Sequence, residues 1–278
     1  MTERLHFESG DLSFARYGDD GPTIVALHGA GADHLVLGLQ VRALARSGFR
    51  VLSFDLPGSG GPQGSSPRRP LNLRTLAADI AHALMRLDAL PAGIFGHSLG
   101  SALAQEVALA LPDGIRAMAL LCSWGRSDAY IAARMQRMIS LAQQLPPETY
   151  APMLVLPMMS RSYWLSHEDD VTRMQRAMML SERAVPSTDL VVQLEACLQH
   201  DALNHLARLD VPTLVVSGEH DENTPLAYGR ELADTLPRAR LLTIKGENAS
   251  HLLHVEVAET VNSSLVSFFR SELLPSPV

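Results

Sequence analysis

The sequence has few of the features that identify a secreted, membrane or nucleic-acid-binding protein. It has two cysteines, Cys122 and Cys197, whose spacing suggests neither a disulfide framework nor a C-x-x-C site. No apolar run is long enough to span a membrane, and the first residues have no apolar signal-peptide core. We therefore expect a cytoplasmic protein with no membrane partner.

Positive charge is also scarce. The net charge is −7, which argues against nucleic acid as a partner, and we expect the one basic cluster, Arg68-Arg69, to lie on a solvated loop. The hydrophobic fraction of 46% and the charged fraction of 19% are ordinary for a globular protein. A chain of 278 residues is long enough for one large α/β domain or for a core with an insertion.

Short apolar runs alternate with helical patterns along most of the chain. The runs are typical of strands that are buried on both faces, and they cover residues 23–27, 50–54, 93–95, 117–121, 213–217 and 240–244. Residues 4–18 predict a β-hairpin, and helical patterns cover residues 72–90, 99–111, 226–236 and 256–273. This order predicts an α/β fold with a mostly parallel, doubly wound sheet.

Residues 124–205 break the alternation. Their helical patterns are interrupted by prolines, and they contain both tryptophans and eight of the 11 methionines. We interpret them as a helical lid inserted between two parts of the core, residues 1–123 and 206–278. An ordinary helical subdomain with a methionine-filled core is the alternative, because methionine adapts to irregular apolar surfaces of both kinds.

Residues 96–100 read Gly-His-Ser-Leu-Gly, the G-x-S-x-G pattern of a sharp strand-to-helix turn that exposes a serine nucleophile. A serine hydroxyl needs a base and an orienting acid. Asp221 follows the strand at 213–217 and is the predicted acid, with Glu219 and Glu222 as competitors. His251 follows the last strand and is the predicted base, with His254 as the alternative.

An oxyanion hole needs two backbone N–H groups. Leu99 follows the nucleophile at a helix N-terminus, and Ala30 lies in the loop after the strand at 23–27, so we expect these two residues to supply them. The glycine-rich loop at 55–61 lacks the Lys-Ser/Thr of a phosphate-binding loop and is interpreted as a turn. We expect no metal and no cofactor.

Together these motifs resemble the α/β-hydrolase superfamily. The resemblance rests on His28-Gly29, residues 55–60, 96–100 and 218–225, and Ser250-His251, and it covers about residues 1–122 and 206–278. Within the superfamily the chain looks most like bacterial carboxylesterases and 3-oxoadipate enol-lactonase-like proteins. The resemblance implies the α/β-hydrolase fold and the catalytic order Ser98, Asp221, His251.

The expected activity is hydrolysis of a small, largely apolar carboxylic ester, lactone or thioester. A carbon–carbon bond hydrolase, a cofactor-free perhydrolase and a hydrolase-like receptor are the alternatives on the same scaffold. Aromatic and methionine side chains of the lid should form the substrate pocket, and the candidates are Trp124, Tyr130, Met135, Met158 and Trp164. Four lid arginines could pair with a substrate carboxylate, although solvated helix faces are the favoured interpretation: Arg126, Arg134, Arg137 and Arg161. The acyl group, the leaving group and the oligomeric state stay open.

Overall fold

The computed structural model describes residues 2–7, 10–61, 66–67 and 70–274, without the side chains of residues 178–180. The predicted loop position of Arg68 and Arg69 lies outside the described residues. Eight strands form one sheet in the order β1-β2-β4-β3-β5-β6-β7-β8. The strands are β1 (Thr2–His6), β2 (Asp11–Tyr17), β3 (Thr23–Leu27), β4 (Arg50–Asp55), β5 (Ala92–His97), β6 (Ile115–Leu121), β7 (Thr213–Gly218) and β8 (Ala239–Ile244).

The pairing confirms the predicted hairpin and the mostly parallel sheet. β2 pairs antiparallel with both β1 and β4, and every pair from β4 to β8 is parallel. Parallel strands need crossover connections, and helices supply them. The helices are α1 (Gly38–Arg46), α2 (Leu73–Arg86), α3 (Leu99–Ala110), α4 (Ala129–Gln144), α5 (Pro147–Val155), α6 (Arg161–Ser166), α7 (Glu168–Leu180), α8 (Ser187–Leu198), α9 (Leu203–Leu206), α10 (Leu226–Thr235), α11 (Leu253–Glu256) and α12 (Ala258–Leu273).

The central strands of the sheet are covered on both faces, as their uninterrupted apolar runs require. The last strand, β8, was expected to be buried on both faces but is only partly buried, because it lies at the edge of the sheet. Successive side chains of a strand point to opposite faces, so Ile94 and Phe95 of β5 belong to different cores. Ile94 belongs to the core that contains Leu103 of α3, and Phe95 belongs to the core that contains Val41 of α1 and Phe269 of α12. The result is a doubly wound sheet whose parallel strands end at one common edge.

Between β6 and β7 the described chain is helical, apart from one isolated bridge between Arg126 and Asp201. Helices α4 to α9 form this segment, and α4 packs against α8. The segment is called the helical insertion below, and its division from the core at residues 124 and 205 stays a prediction. None of the helices in the described part of the chain combines the length and the apolar character needed to cross a membrane.

Candidate active site

Ser98 occupies a strained turn between β5 and α3. Its φ of 53° and ψ of −121° are rarely adopted by residues other than glycine. The backbone approaches itself so closely here that only glycine fits at two positions. A Cβ on Gly96 would lie 2.1 Å from the carbonyl oxygen of Gly100, and a Cβ on Gly100 would lie 2.1 Å from the carbonyl oxygen of Leu27. The two glycines therefore allow the chain to reverse at the carboxyl edge of the sheet.

A continuous line of hydrogen bonds joins Ser98, His251 and Asp221. The Nε2 atom of His251 lies 3.1 Å from Ser98 Oγ, and its Nδ1 atom lies 2.9 Å from Asp221 Oδ2. A carboxylate only accepts hydrogen bonds, so Nδ1 carries the proton and Nε2 is free to accept the serine hydroxyl proton. The structure thus brings together the three residues that the sequence motifs singled out.

Asp221 is buried and fully engaged by hydrogen-bond donors. Its carboxylate accepts the backbone N–H groups of Asn223 at 2.8 Å and Thr224 at 2.9 Å, and the hydroxyl of Thr224 at 2.7 Å. Burial raises the pKa of Asp221. The electrostatic interaction and hydrogen bond with His251, together with the hydrogen bonds from Thr224, outweigh it and leave the pKa below its usual value. The competing acids, Glu219 and Glu222, are exposed to solvent.

Two further histidines lie behind His251. His97 Nε2 donates to the carbonyl oxygen of His251 at 2.9 Å, and the ring centroid of His97 lies 4.2 Å from that of His254. Among the described residues, neither ring nitrogen of His254 has a hydrogen-bond partner. Burial lowers the pKa of His97 well below its usual value and lowers the pKa of His254 to about 3. Both rings are therefore neutral, and His254, the alternative base, has no hydrogen bond to Ser98.

The predicted oxyanion donors lie on two backbone segments beside Ser98. Leu99 is the first residue of α3, so its N–H has no acceptor within the helix and points along the positive end of the helix dipole. Ala30 and Gly29 line the same cavity as Ser98. His28 supports their loop, because its Nδ1 atom donates to Gly29 O at 2.8 Å while its Nε2 atom accepts from Leu56 N at 3.1 Å.

Gln193 of α8 supports the same loop and was not found from the sequence. Its fully buried side chain accepts the N–H of Gly31 at 2.9 Å and donates to Pro57 O at 3.0 Å and to Ser59 Oγ at 3.1 Å. One amide thus fixes the loop that carries Ala30 against the loop that follows β4. No local sequence signal marks it, since Gly31 is 162 positions away.

A cavity of about 510 Å³ opens over Ser98 and His251. The helical insertion supplies much of its apolar wall, and the methionines in this wall are Met135, Met138, Met158 and Met174. The predicted pocket residues Met135 and Met158 therefore lie at the cavity.

Three predicted pocket residues lie outside the cavity wall, which corrects the expectation from composition. Trp124 is fully buried in the core and donates to Ser127 Oγ at 3.0 Å. Tyr130 is 45% exposed, and its hydroxyl donates to Glu222 O at 2.8 Å. Trp164 packs in a separate small cluster with Val155 and Leu252. These three aromatic side chains therefore contact other parts of the protein and do not line the cavity.

In the described part of the chain, two clusters have ligand atoms close enough to suggest a cation, and in both the atoms have protein partners. In the first, His97, Cys122 and His251 engage one another and Ser98 and Asp221. The second consists of Asp33, His34 and Asp55. Arg183 of the helical insertion forms ion pairs with Asp33 and Asp55, and His34 Nδ1 lies 2.9 Å from Asp55 Oδ2. The guanidinium already compensates these carboxylates and links the insertion to the core.

Comparison with known proteins gives matches over most of the chain. The family described as alpha/beta hydrolase fold matches residues 22–256. A putative non-heme bromoperoxidase, BpoC, from Mycobacterium tuberculosis is 30% identical over 265 residues, which are 94% of this chain and 98% of the relative. A putative carbamate hydrolase, RutD, from Azorhizobium caulinodans is 25% identical over 91% of this chain and 96% of its own. The crystal structure of MGS-M2, an alpha/beta hydrolase from a Medee basin deep-sea metagenome, superposes with a TM-score of 0.89 at 19% identity and covers 99% of this chain and 100% of its own.

Proposed function

The chain belongs to the alpha/beta hydrolase fold family, and from that premise we propose that it is a serine hydrolase that cleaves carboxylic esters through an acyl-enzyme. One observation carries the proposal: His251 lies within hydrogen-bond distance of Ser98 on one side, at 3.1 Å, and of Asp221 on the other, at 2.9 Å. A serine hydroxyl becomes a useful nucleophile when a neutral, correctly oriented imidazole can take its proton.

In the proposed reaction Ser98 Oγ attacks the acyl carbon while His251 Nε2 takes the hydroxyl proton. Asp221 keeps the imidazole in the required tautomer and stabilises the imidazolium. The N–H groups of Leu99 and Ala30 bind the oxyanion, and loss of one such donor costs about 3 kcal/mol of transition-state stabilisation. His251 then protonates the leaving group, and water hydrolyses the acyl-enzyme by the same route in reverse order.

The test is a panel of esters, lactones, thioesters and carbamates assayed with the wild-type protein and with Ser98→Ala. We expect ester hydrolysis by the wild type, a loss of about 10⁴-fold or more in Ser98→Ala, and covalent labelling of Ser98 by a fluorophosphonate. Ser263→Ala is the control, because Ser263 is exposed on α12 and makes the same chemical change away from the cavity. Wild-type turnover in Ser98→Ala on every substrate would reject the proposal.

Cofactor-free perhydrolysis is the second candidate, and the similarity to a putative non-heme bromoperoxidase favours it. In that reaction hydrogen peroxide replaces water in the attack on the acyl-enzyme, so the products are a peracid and free Ser98. The same panel decides between them when it is repeated with hydrogen peroxide, with peracid measured by bromide oxidation. Peracid formation that outpaces hydrolysis, and that Ser98→Ala removes, would favour the second candidate.

A further inference from the structure

The helical insertion contains four arginines that were considered as carboxylate partners, and of these Arg134 lines the cavity. It lies on α4, half-buried, beside Asn223 in the cavity wall, whereas Arg126, Arg137 and Arg161 are exposed. The structure therefore separates Arg134 from Arg137 and Arg161, which are exposed on helices, and from Arg126, which is exposed ahead of α4.

Arg134 has a neutral hydrogen-bond partner and, within the described ranges, no acidic one. Its Nη2 atom donates to Asn223 Oδ1. Among the described residues it forms no ion pair, in contrast to Arg183, which pairs with both Asp33 and Asp55. A guanidinium beside a mostly apolar cavity thus keeps an uncompensated positive charge.

Asn223 adds an unused donor at the same place. An arginine can only donate, so the side-chain oxygen of Asn223 must face Arg134, and the Nδ2 atom must point elsewhere. That Nδ2 atom is buried and has no hydrogen-bond partner among the described residues. A buried unsatisfied donor is costly, and an acceptor on a bound ligand would satisfy it.

This subsite is close to the catalytic machinery along the chain. The backbone N–H of Asn223 donates to Asp221 Oδ1 at 2.8 Å, and Thr224 also contributes to the cavity wall. Ser98, Arg134 and Asn223 all line one cavity, so the nucleophile and the subsite face the same bound molecule.

We propose that Arg134 and Asn223 bind a carboxylate on the substrate, so that the preferred esters are half-esters of dicarboxylic acids. This inference rests on the proposed ester hydrolysis and adds the substrate class. A carboxylate matches a site with one guanidinium and one neutral amide donor, because it brings one negative charge and two acceptor oxygens. The apolar methionine wall accommodates the methylene chain between the two ends.

The test compares two esters of nearly equal shape, monomethyl glutarate and methyl 5-methylhexanoate, which differ in a carboxylate against an isopropyl group. Released methanol gives kcat/KM for both. We expect the wild type to prefer the charged ester and Arg134→Met to lower the preference by about 10- to 100-fold, the range for hydrogen bonds to charged groups. The preference of Arg134→Lys should lie between those of the wild type and Arg134→Met. Monomethyl succinate and monomethyl adipate should identify the best chain length.

Arg137→Met is the matched control, because Arg137 is one turn along α4 and exposed. It should leave the ratio of the two esters unchanged. An equal loss on both esters in Arg134→Met would mean that Arg134 only holds the Asn223 loop in place, and this would overturn the proposal while ester hydrolysis stands.

A binding measurement keeps the subsite testable if no ester is cleaved. Calorimetric titration of monomethyl glutarate into Ser98→Ala, with and without Arg134→Met, requires no turnover. Tighter binding to the protein that retains Arg134 supports the subsite even if the proposed hydrolysis fails. Equal affinities, or no binding to either protein, overturn it.

Discussion

Gln193 and Gly31 are joined by a hydrogen bond of 2.9 Å that ties the helical insertion to the loop carrying Ala30. The same amide holds Pro57 and Ser59 of the neighbouring loop. Gln193 touches none of the reacting groups, so it is a positioning residue. Its position links the geometry of the proposed oxyanion hole to the packing of α8.

Replacing Gln193 by leucine should impair the chemical step more than substrate binding. The Gly31 N–H would lose its acceptor and the loop would shift, so we expect kcat to fall about tenfold with little change in KM, less than the 100- to 1,000-fold that loss of an oxyanion donor costs. Steady-state kinetics on one ester measures this. Gln199→Leu, an exposed substitution at the end of α8, should have no such effect; equal losses in the two variants would refute the positioning role.

Asp221→Asn should reduce kcat by about 10⁴-fold. An asparagine amide can donate to the imidazole and so favours the tautomer that protonates Nε2, which then cannot accept the Ser98 proton. Glu222→Gln makes the same chemical change at the next residue, whose side chain is exposed, and should leave kcat within about twofold. Long assays measure the residual kcat of Asp221→Asn, and circular dichroism checks that the variant is folded. A fully active Asp221→Asn would contradict the assignment of Asp221 as the acid.

The buried histidines should make the fold less stable in acid. His254 has a folded-state pKa of about 3, whereas an unfolded histidine has a pKa of about 6.5. Between these values the unfolded chain binds the extra proton, so the free energy of unfolding falls as the pH falls, by up to about 1.4 kcal/mol per pH unit for each such group. The pKa of His97 is lowered in the same direction and adds to the effect.

Urea unfolding at pH values from 7 to 4 tests this. His254→Leu should flatten the dependence of the free energy of unfolding on pH, because it removes one group that must stay neutral in the folded state. His82→Gln removes an exposed histidine of α2 and should leave the dependence as it is in the wild type. Parallel curves for the wild type and His254→Leu would count against a neutral, buried His254.

Gly100→Ala should disrupt the turn that carries Ser98. The added Cβ would lie 2.1 Å from the carbonyl oxygen of Leu27 in β3, so β3 and α3 must separate. We expect a loss of several kcal/mol in the free energy of unfolding, of the size seen for overpacked cores, together with loss of activity. Gly114→Ala, whose Cβ would have its nearest neighbour at 3.3 Å on the Leu111 side chain, is the control and should unfold at a urea concentration close to that of the wild type.

The sequence was informative where function follows from strand order. Ser98 and Asp221 follow the buried strands β5 and β7, and His251 follows the partly buried edge strand β8. Parallel strands bring their carboxyl ends to one edge, so the proximity of the three residues could be predicted without coordinates. Contacts between side chains that meet through the packing of the helical insertion could not be predicted in this way. Arg134 contacts Asn223 across 89 positions, and no periodic pattern distinguishes it from Arg137 one turn away.

Composition was a poorer guide than order. The aromatic residues of the insertion were expected to contact substrate, yet Trp124 fills the core, where Ser127 satisfies its indole N–H. Tyr130 has a backbone acceptor near the surface at Glu222. Both side chains are amphipathic, and their polar atoms are satisfied away from the cavity.

Four thioether side chains, Met135, Met138, Met158 and Met174, form much of one cavity wall. Unbranched side chains with three rotatable bonds rearrange at little energetic cost, so such a wall limits the volume of a substrate more than its shape. Discrimination among substrates of similar volume then depends on their polar ends. Conversion of these sulfur atoms to sulfoxides would turn an apolar, adaptable surface into a polar one that prefers different substrates.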